Sequence, residues 1–177
     1  MGHVIRQFTP ADTEAVVAVW ESCGLVRPWN DPRRDIARKL TVQPELFLVA
    51  TEAPSADADP ADADPAGDGP ADADPADADP ADADPAGDGP TVVAAGMAGF
   101  DGHRGWVNYL AVRPDLQGSG LGRAFMAEFE RLLTDLGCPK LNLQVRAGNE
   151  QVIGFYESLG YTDDHTVSMG KRLIPDA

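Results

Sequence analysis

From Ala56 to Pro90 the chain reads ADADP ADADP AGDGP ADADP ADADP ADADP AGDGP, seven pentapeptides with no aromatic and no β-branched residue. Such a run cannot bury enough apolar surface to offset the entropy lost on ordering. Proline at every fifth position blocks a regular helix, and repulsion between aspartates favours extension. Any core must therefore be assembled from the two flanks. Strand-like segments, "ELFLVAT" and "TVVAAGMAGF", adjoin the repeat on either side. The expectation is a single domain over residues 1–177, interrupted by a disordered acidic insert at 53–90 that expands a strand–strand hairpin. Closure entropy penalises such an insertion only weakly. Aspartate-rich loops also invite a calcium reading. Calcium needs several oxygens converging on a turned loop, and "AGDGP" supplies glycine but no glutamate. The spacer reading is preferred, and no metal is expected.

The repeat also governs the charge. The net charge is −15, and twelve of the aspartates lie in residues 56–90, so the remainder carries only −3. A mildly acidic folded part lacks the basic face that nucleic acid requires. The eleven arginines against three lysines suit a salt-rich cytoplasm or a GC-rich genome equally. No run of eighteen apolar residues is present, so no membrane span is expected. "MGHVIRQFTP" lacks an apolar signal core, which points to a cytoplasmic protein. Its "MG" start resembles a myristoylation signal, but "HVIRQ" reads better as a first strand. Cys23 and Cys138 have no metal-type spacing and are expected as free thiols.

Periodicity supplies the elements. "HVIRQF" (3–8) alternates as a strand does. Thr9 is placed to cap a helix with Pro10 at its first position, and Val16, Val19, Trp20 and Cys23 then share one face up to Gly24. Trp20 reads as core, Glu14 and Glu21 as a solvated face. Asp31 and Pro32 open a second short helix, with Ile36 and Leu40 inward. "LFLVAT" (46–51), "VVAAGMAGF" (92–100) and "WVNYLAV" (106–112) read as successive strands. A helix follows from about 120 to 136, with Leu121, Phe125, Leu132 and Leu136 on its stripe. "LNLQV" (141–145) is a strand, "EQVIGFYESLG" (150–160) a helix stopped by Gly160, and "YTDD" with "HTVSMGKRLI" closing strand material. The fold class is α/β (α+β): a mixed, largely antiparallel central sheet flanked by helices.

One loop carries chemistry. "RPDLQGSGLGRAF" (113–125) places Gly118, Gly120 and Gly122 at alternate positions between a strand and a helix. A helix N-terminus has unpaired N–H donors and partial positive charge, which together form a seat for phosphate. A Walker loop would need a lysine after the last glycine, and none follows. A dinucleotide fingerprint would need different glycine spacing and a βαβ unit. A glycine-rich turn with no ligand is the plain alternative.

The surroundings decide among these. "YLAVRPDLQGSGLGRAF", with Gln117, Gly120 and Gly122 at the Q/R-x-x-G-x-G/A positions, resembles the acetyl-CoA signature of the GNAT N-acetyltransferase superfamily. "NEQVIGFYESLGY" (149–161) resembles that superfamily's N-x-x-x-x-x-F-Y-x-x-x-G-F segment. Both occur in the expected order, and the likeness covers the chain apart from the repeat. "RPWNDP" (27–32) and "DGHRG" (101–105) look like a small single-domain branch of it.

The resemblance implies a GNAT fold and direct acetyl transfer from acetyl-CoA, as co-substrate, to a primary amine: a protein N-terminus, a lysine or a small amine. It implies that Gln117, Gly118, Ser119, Gly120, Leu121 and Gly122 hold the pyrophosphate, with Arg123 as counter-charge. Leu110, Ala111 and Val112 would meet the pantetheine arm by strand addition, on a strand splayed from "LNLQV" and often bulged. A backbone N–H near Leu110 or Ala111 would face the oxyanion. Asn149 would contact the CoA arm. Tyr156 would protonate the leaving thiolate, or only donate a hydrogen bond to it. Relatives often carry a glutamate on the central strand as base; "WVNYLAV" has Asn108 and Tyr109 instead. Asp101 and His103 are the substitutes nearest in sequence, against a plain reading of "DGHRG" as a tight turn. Arg27, Trp29 and Asn30 fall where relatives build the acceptor pocket. The absent strand carboxylate keeps a non-catalytic acyl-CoA sensor in play, and the repeat a solubility or interaction role. A monomer or homodimer is expected.

Overall fold

The computed structural model describes residues 2–53 and 91–174, so the pentapeptide repeat lies outside the described residues. Five strands form one sheet: β1 (His3–Gln7), β2 (Phe47–Glu52), β3 (Val92–Phe100), β4 (Gly105–Val112) and β5 (Leu141–Leu143). They lie in chain order, antiparallel through β4, with β5 parallel to β4. The helices are α1 (Thr13–Ser22), α2 (Pro32–Leu40), α3 (Leu121–Asp135) and α4 (Glu150–Glu157).

β2 and β3 read as continuous apolar runs because both faces of the sheet are covered. On one face Phe47, Val49, Ala95 and Met97 pack with Val16, Trp20 and Ile36 of α1 and α2. On the other Leu48, Ala94, Ala98 and Val107 pack with Phe125, Phe129 and Leu133 of α3. The Thr9–Pro10 start becomes a 3-10 turn at Pro10–Asp12 before α1 begins. Asp31 caps α2 as expected, its side chain accepting from the Arg33 N–H at 2.9 Å.

The sequence expectation fails in two places. The buried stripe of α3 is Leu121, Phe125, Met126, Phe129 and Leu133. Leu132 is only half-buried and Leu136 is 47% exposed. Steps of four from Leu121 through Phe125 and Phe129 to Leu133 drift round the helix and carry the buried face with them, which leaves Leu132 at its edge, and Leu136 lies past the end of α3 as its C-cap. The closing strand does not form either: residues 161–173 carry no regular element. The segment meets β5 through side chains, Lys140 to Asp164 and Gln144 to Ser168. A three-residue β5 offers a short ladder for another strand. Val167, Met169 and Leu173 stay exposed.

Candidate functional site

Along β4 two residues oppose one. Ala95 pairs with Ala111 and Met97 with Asn108, which leaves Tyr109 and Leu110 facing Gly96. This is a β-bulge, and Tyr109 holds a left-handed backbone with φ +56°. A bulky residue there is strained by about 1–3 kcal/mol. The bulge sends Tyr109 to the α1–α2 face and Leu110 to the α3 face. At the same level the sheet opens. β4 pairs with β5 only from Gly105 to Val107, against Leu141–Leu143. From Asn108 to Val112 the β5-facing peptide groups of β4 have no strand partner among the described residues.

This gap leads to the N-terminus of α3. Gly118 and Gly120 have φ +80° and +90° and nothing within 4 Å of where a Cβ would stand. Their backbone needs glycine and the space above them is open. Gly122 has a different cause: a Cβ there would lie 3.2 Å from the Phe155 ring of α4. The loop tightens through the Gln117 N–H to Pro114 and the Ser119 N–H to Leu116, each 3.3 Å. The Gln117 amide reaches back to the Val112 carbonyl at 3.1 Å, which also accepts from the Cys23 thiol at 3.2 Å. The first bond into α3 runs from the Ala124 N–H to the Gly120 carbonyl, and no side chain caps the helix. The N–H groups of Leu121, Gly122 and Arg123 thus stand ahead of any helical acceptor. Arg123 is exposed and donates to Ser158 at 3.3 Å.

α4 brings Tyr156 beside the open end of β5, in a cleft of about 820 Å³ lined also by Leu143 and Tyr161. Its ring meets Phe155 and Tyr161 edge-on. Burial pushes its phenol up to about 12. Asn149 is the N-cap of α4, its side-chain oxygen accepting from Val152 at 3.4 Å.

Asp101 and His103 sit in the β3–β4 hairpin, at the other end of β4. Tyr109 lies four residues beyond Gly105, roughly 13 Å of strand at 3.3 Å each. The Asp101 carboxylate is taken up by that turn. It accepts from the His103 and Arg104 N–H groups at 2.7 Å each and from the Trp106 indole at 3.2 Å. The Arg104 and His103 N–H bonds, in that order, hold it below the usual carboxylate range.

The α1–α2 loop approaches the bulge from the opposite face of the sheet. Arg27 and Asn30 bridge across a tight turn, and Trp29 at its tip is 60% exposed. Asn30 donates its side-chain amide both to the Tyr109 hydroxyl and to Asp35. The Tyr109 hydroxyl donates to the same Asp35 oxygen at 2.7 Å, and Arg38 takes the other at 3.0 Å. Sequence reasoning overlooked Asp35. It stands in "PRRDIARKL", where a charge reads as helix surface, and its partner Tyr109 is 74 residues away. Among the described residues no group of three or more His, Cys, Asp or Glu is placed to hold a metal, and no helix is long and apolar enough to cross a membrane.

Comparison with known proteins agrees with this geometry. Residues 43–161 match the profile of the Acetyltransferase (GNAT) family. An acetyltransferase of Yersinia enterocolitica is 41% identical over 172 residues, 97% of this chain and 96% of that protein. One from Pectobacterium atrosepticum is 40% identical over the same shares. Among solved structures, Ard1 from Thermoplasma volcanium superposes with a TM-score of 0.62 at 20% identity, covering 92% of this chain and 84% of that one. AAC(6')-Iy, solved with a bisubstrate analogue built on CoA, gives 0.65 at 11% identity, covering 98% and 100%. At those identities the structural likeness speaks for the fold.

Proposed function

Because the chain belongs to the acetyltransferase (GNAT) family, whose members use acetyl-CoA as co-substrate, we propose that it moves the acetyl group directly to a primary amine. The observation that carries this reading is the continuity of bulge, splayed strands and uncapped helix mouth. The N–H groups of Gly118, Gly120, Leu121 and Gly122 suit a diphosphate, those of Gln117 and Ser119 being given to Pro114 and Leu116 within the loop, and Arg123 can swing from Ser158 as counter-charge. The edge of β4 from Leu110 to Val112, without a strand partner though its Val112 carbonyl is taken by Gln117 and Cys23, suits the amide-bearing pantetheine arm. That arm would deliver the thioester to the level of the bulge. There a backbone N–H near Leu110 or Ala111 would face the oxygen that gains charge.

Tyr156 is assigned as hydrogen-bond donor to the departing sulfur. Its phenol, pushed up to about 12 by burial, stays protonated. Complete transfer of that proton to a thiolate, which ordinarily titrates near 8.5, is uphill. The sulfur's proton comes in the end from the attacking nitrogen. Asn149 supports the site by fixing the start of α4. In this reading Asp101 and His103 shape the hairpin and do not act as base, since Asp101 already serves three donors. Arg27, Trp29 and Asn30 border the acceptor side.

The test is CoA release with a panel of primary amines, alongside calorimetry with acetyl-CoA. Tyr156→Phe should lower kcat about 100-fold, as loss of one donor to developing negative charge does, while acetyl-CoA binds within about twofold of wild type. Unchanged turnover in that variant removes Tyr156 from the mechanism. No heat of acetyl-CoA binding to the intact protein overturns the whole reading.

A further inference from the structure

The last carbonyl of β4, that of Val112, is held by two side chains. Its direction follows from its neighbour. The Arg113 N–H donates to the Val93 carbonyl, next to β4 on β3, at 2.8 Å. Across a trans peptide the C=O points opposite to the N–H. The Val112 carbonyl therefore points away from β3, into the gap that opens where β5 stops pairing after Val107. There the Gln117 side-chain amide donates to it at 3.1 Å and the Cys23 thiol at 3.2 Å. A carbonyl oxygen has two lone pairs, so both places are filled.

The two donors differ in kind. Cys23 is the half-buried C-cap of α1, its N–H bonded to the Val19 carbonyl at 3.2 Å. Its short side chain moves little without the end of that helix. Gln117 is exposed, and its long side chain has many rotamers to return to. The glycine loop does not depend on the contact. The Gln117 N–H is bonded to Pro114, and Gly118 beside it holds its left-handed backbone with open space above. Gln117 can thus release the carbonyl and leave the loop intact.

Strand addition brings an amide N–H to an edge carbonyl, and the Gln117 carboxamide supplies that same group from within the chain. We infer that Gln117 is a placeholder: its side-chain amide occupies the Val112 carbonyl in the free protein, and an amide of the pantetheine arm displaces it. This rests on the acetyl-transfer reading above. The consequence is selectivity. An unpaired strand edge is a template for any extended chain, and Gln117 closes this one at Val112. A ligand that carries both a diphosphate and an amide arm gains the N–H groups of the glycine loop in the same event that displaces Gln117. An extended peptide without the diphosphate has to displace it unaided.

Two variants and two ligands test the assignment by calorimetry. Gln117→Met keeps the length of the side chain and removes the donor; Gln117→Ala removes both. Each should bind acetyl-CoA about two- to tenfold tighter than wild type, the worth of one hydrogen bond that the arm no longer has to replace. ADP carries the diphosphate and lacks the arm, so neither variant should gain with it. Weaker acetyl-CoA binding in the variants makes Gln117 a contact to the ligand and overturns the placeholder, and unchanged binding makes its bond incidental. A gain with ADP as large as that with acetyl-CoA also overturns it, since the change then lies in the glycine loop. So does a gain confined to one variant, which belongs to the new side chain. A wild-type protein that shows no heat with acetyl-CoA sinks the acetyl-transfer reading itself, and the placeholder with it.

Discussion

At the scale of single residues, the acid-sensitive point is Asp12, where α1 is anchored to β1. Its carboxylate takes both Arg6 guanidinium nitrogens, at 2.7 and 2.8 Å, and the Thr9 N–H and hydroxyl at 2.7 and 2.9 Å. Burial works to raise this carboxyl, yet the Arg6 and Thr9 bonds outweigh it and hold it below its ordinary value. A carboxyl lower in the folded than in the unfolded chain stabilises fully above the unfolded value of about 3.9, and that contribution is lost as pH falls through the folded value. Asp12→Asn should therefore cost roughly 2 kcal/mol at pH 7, the worth of hydrogen bonds to a charged group. The loss should shrink as the solution is acidified below about pH 4. Denaturant titrations of both proteins at neutral and acid pH check this; a gap that is independent of pH removes the charge from the explanation.

At the scale of elements, the bulge in β4 depends on a small residue across from it. A Cβ on Gly96 would stand 3.1 Å from the Phe129 ring and 3.2 Å from Leu110. Phe129 is fully buried and cannot give way freely. Gly96→Ala should cost about 1–3 kcal/mol as overpacking. It should also weaken acetyl-CoA binding, because Leu110 must shift. Gly154→Ala, in α4 with nothing within 4 Å, should instead stabilise by about 0.5–1 kcal/mol. Thermal melts and calorimetry on the two variants compare the effects; a Gly96→Ala protein with wild-type melting and affinity means the bulge tolerates what the geometry forbids. The bulge also marks the limit of sequence reading. The succession of the first five strands along the chain, the Asp31–Pro32 start of α2 and the glycine loop were legible, because each rests on local spacing and turn chemistry. A bulge on this strand came only with the family resemblance, and its place opposite Gly96 was not legible, since it follows from how Phe129 and Leu110 pack across the sheet. Asp35 was not either, because its meaning comes from Tyr109 on a distant strand. The closing strand was overread: alternation in "HTVSMGKRLI" supplies a strand pattern, but β5 ends after Leu143.

At the scale of the whole molecule, the question is how a single sheet accommodates thirty-five residues of repeat between two neighbouring strands. The ends of the interruption answer it. Thr51 of β2 pairs with Val92 of β3, the Glu52 N–H donates to the Thr91 carbonyl at 3.1 Å, and the Ala53 N–H donates to Gly2 at 2.9 Å. The chain leaves and re-enters the sheet at adjacent positions, where a short hairpin turn would fit. Loop closure costs about 0.6 kcal/mol per doubling of length. Replacing 54–90 by a four-residue turn removes about three doublings and should stabilise the fold by roughly 2 kcal/mol. The same deletion takes away twelve aspartates, so repulsion across the surface falls as well. Among the described residues, the bulge and the α3 mouth pack against side chains of the two flanks of the repeat. The shortened protein should therefore melt at or above the wild-type temperature, bind acetyl-CoA equally well and keep its rate with the best amine of the panel. Loss of acetyl-CoA binding on deletion would mean that the repeat belongs to the site and is no mere spacer between strands.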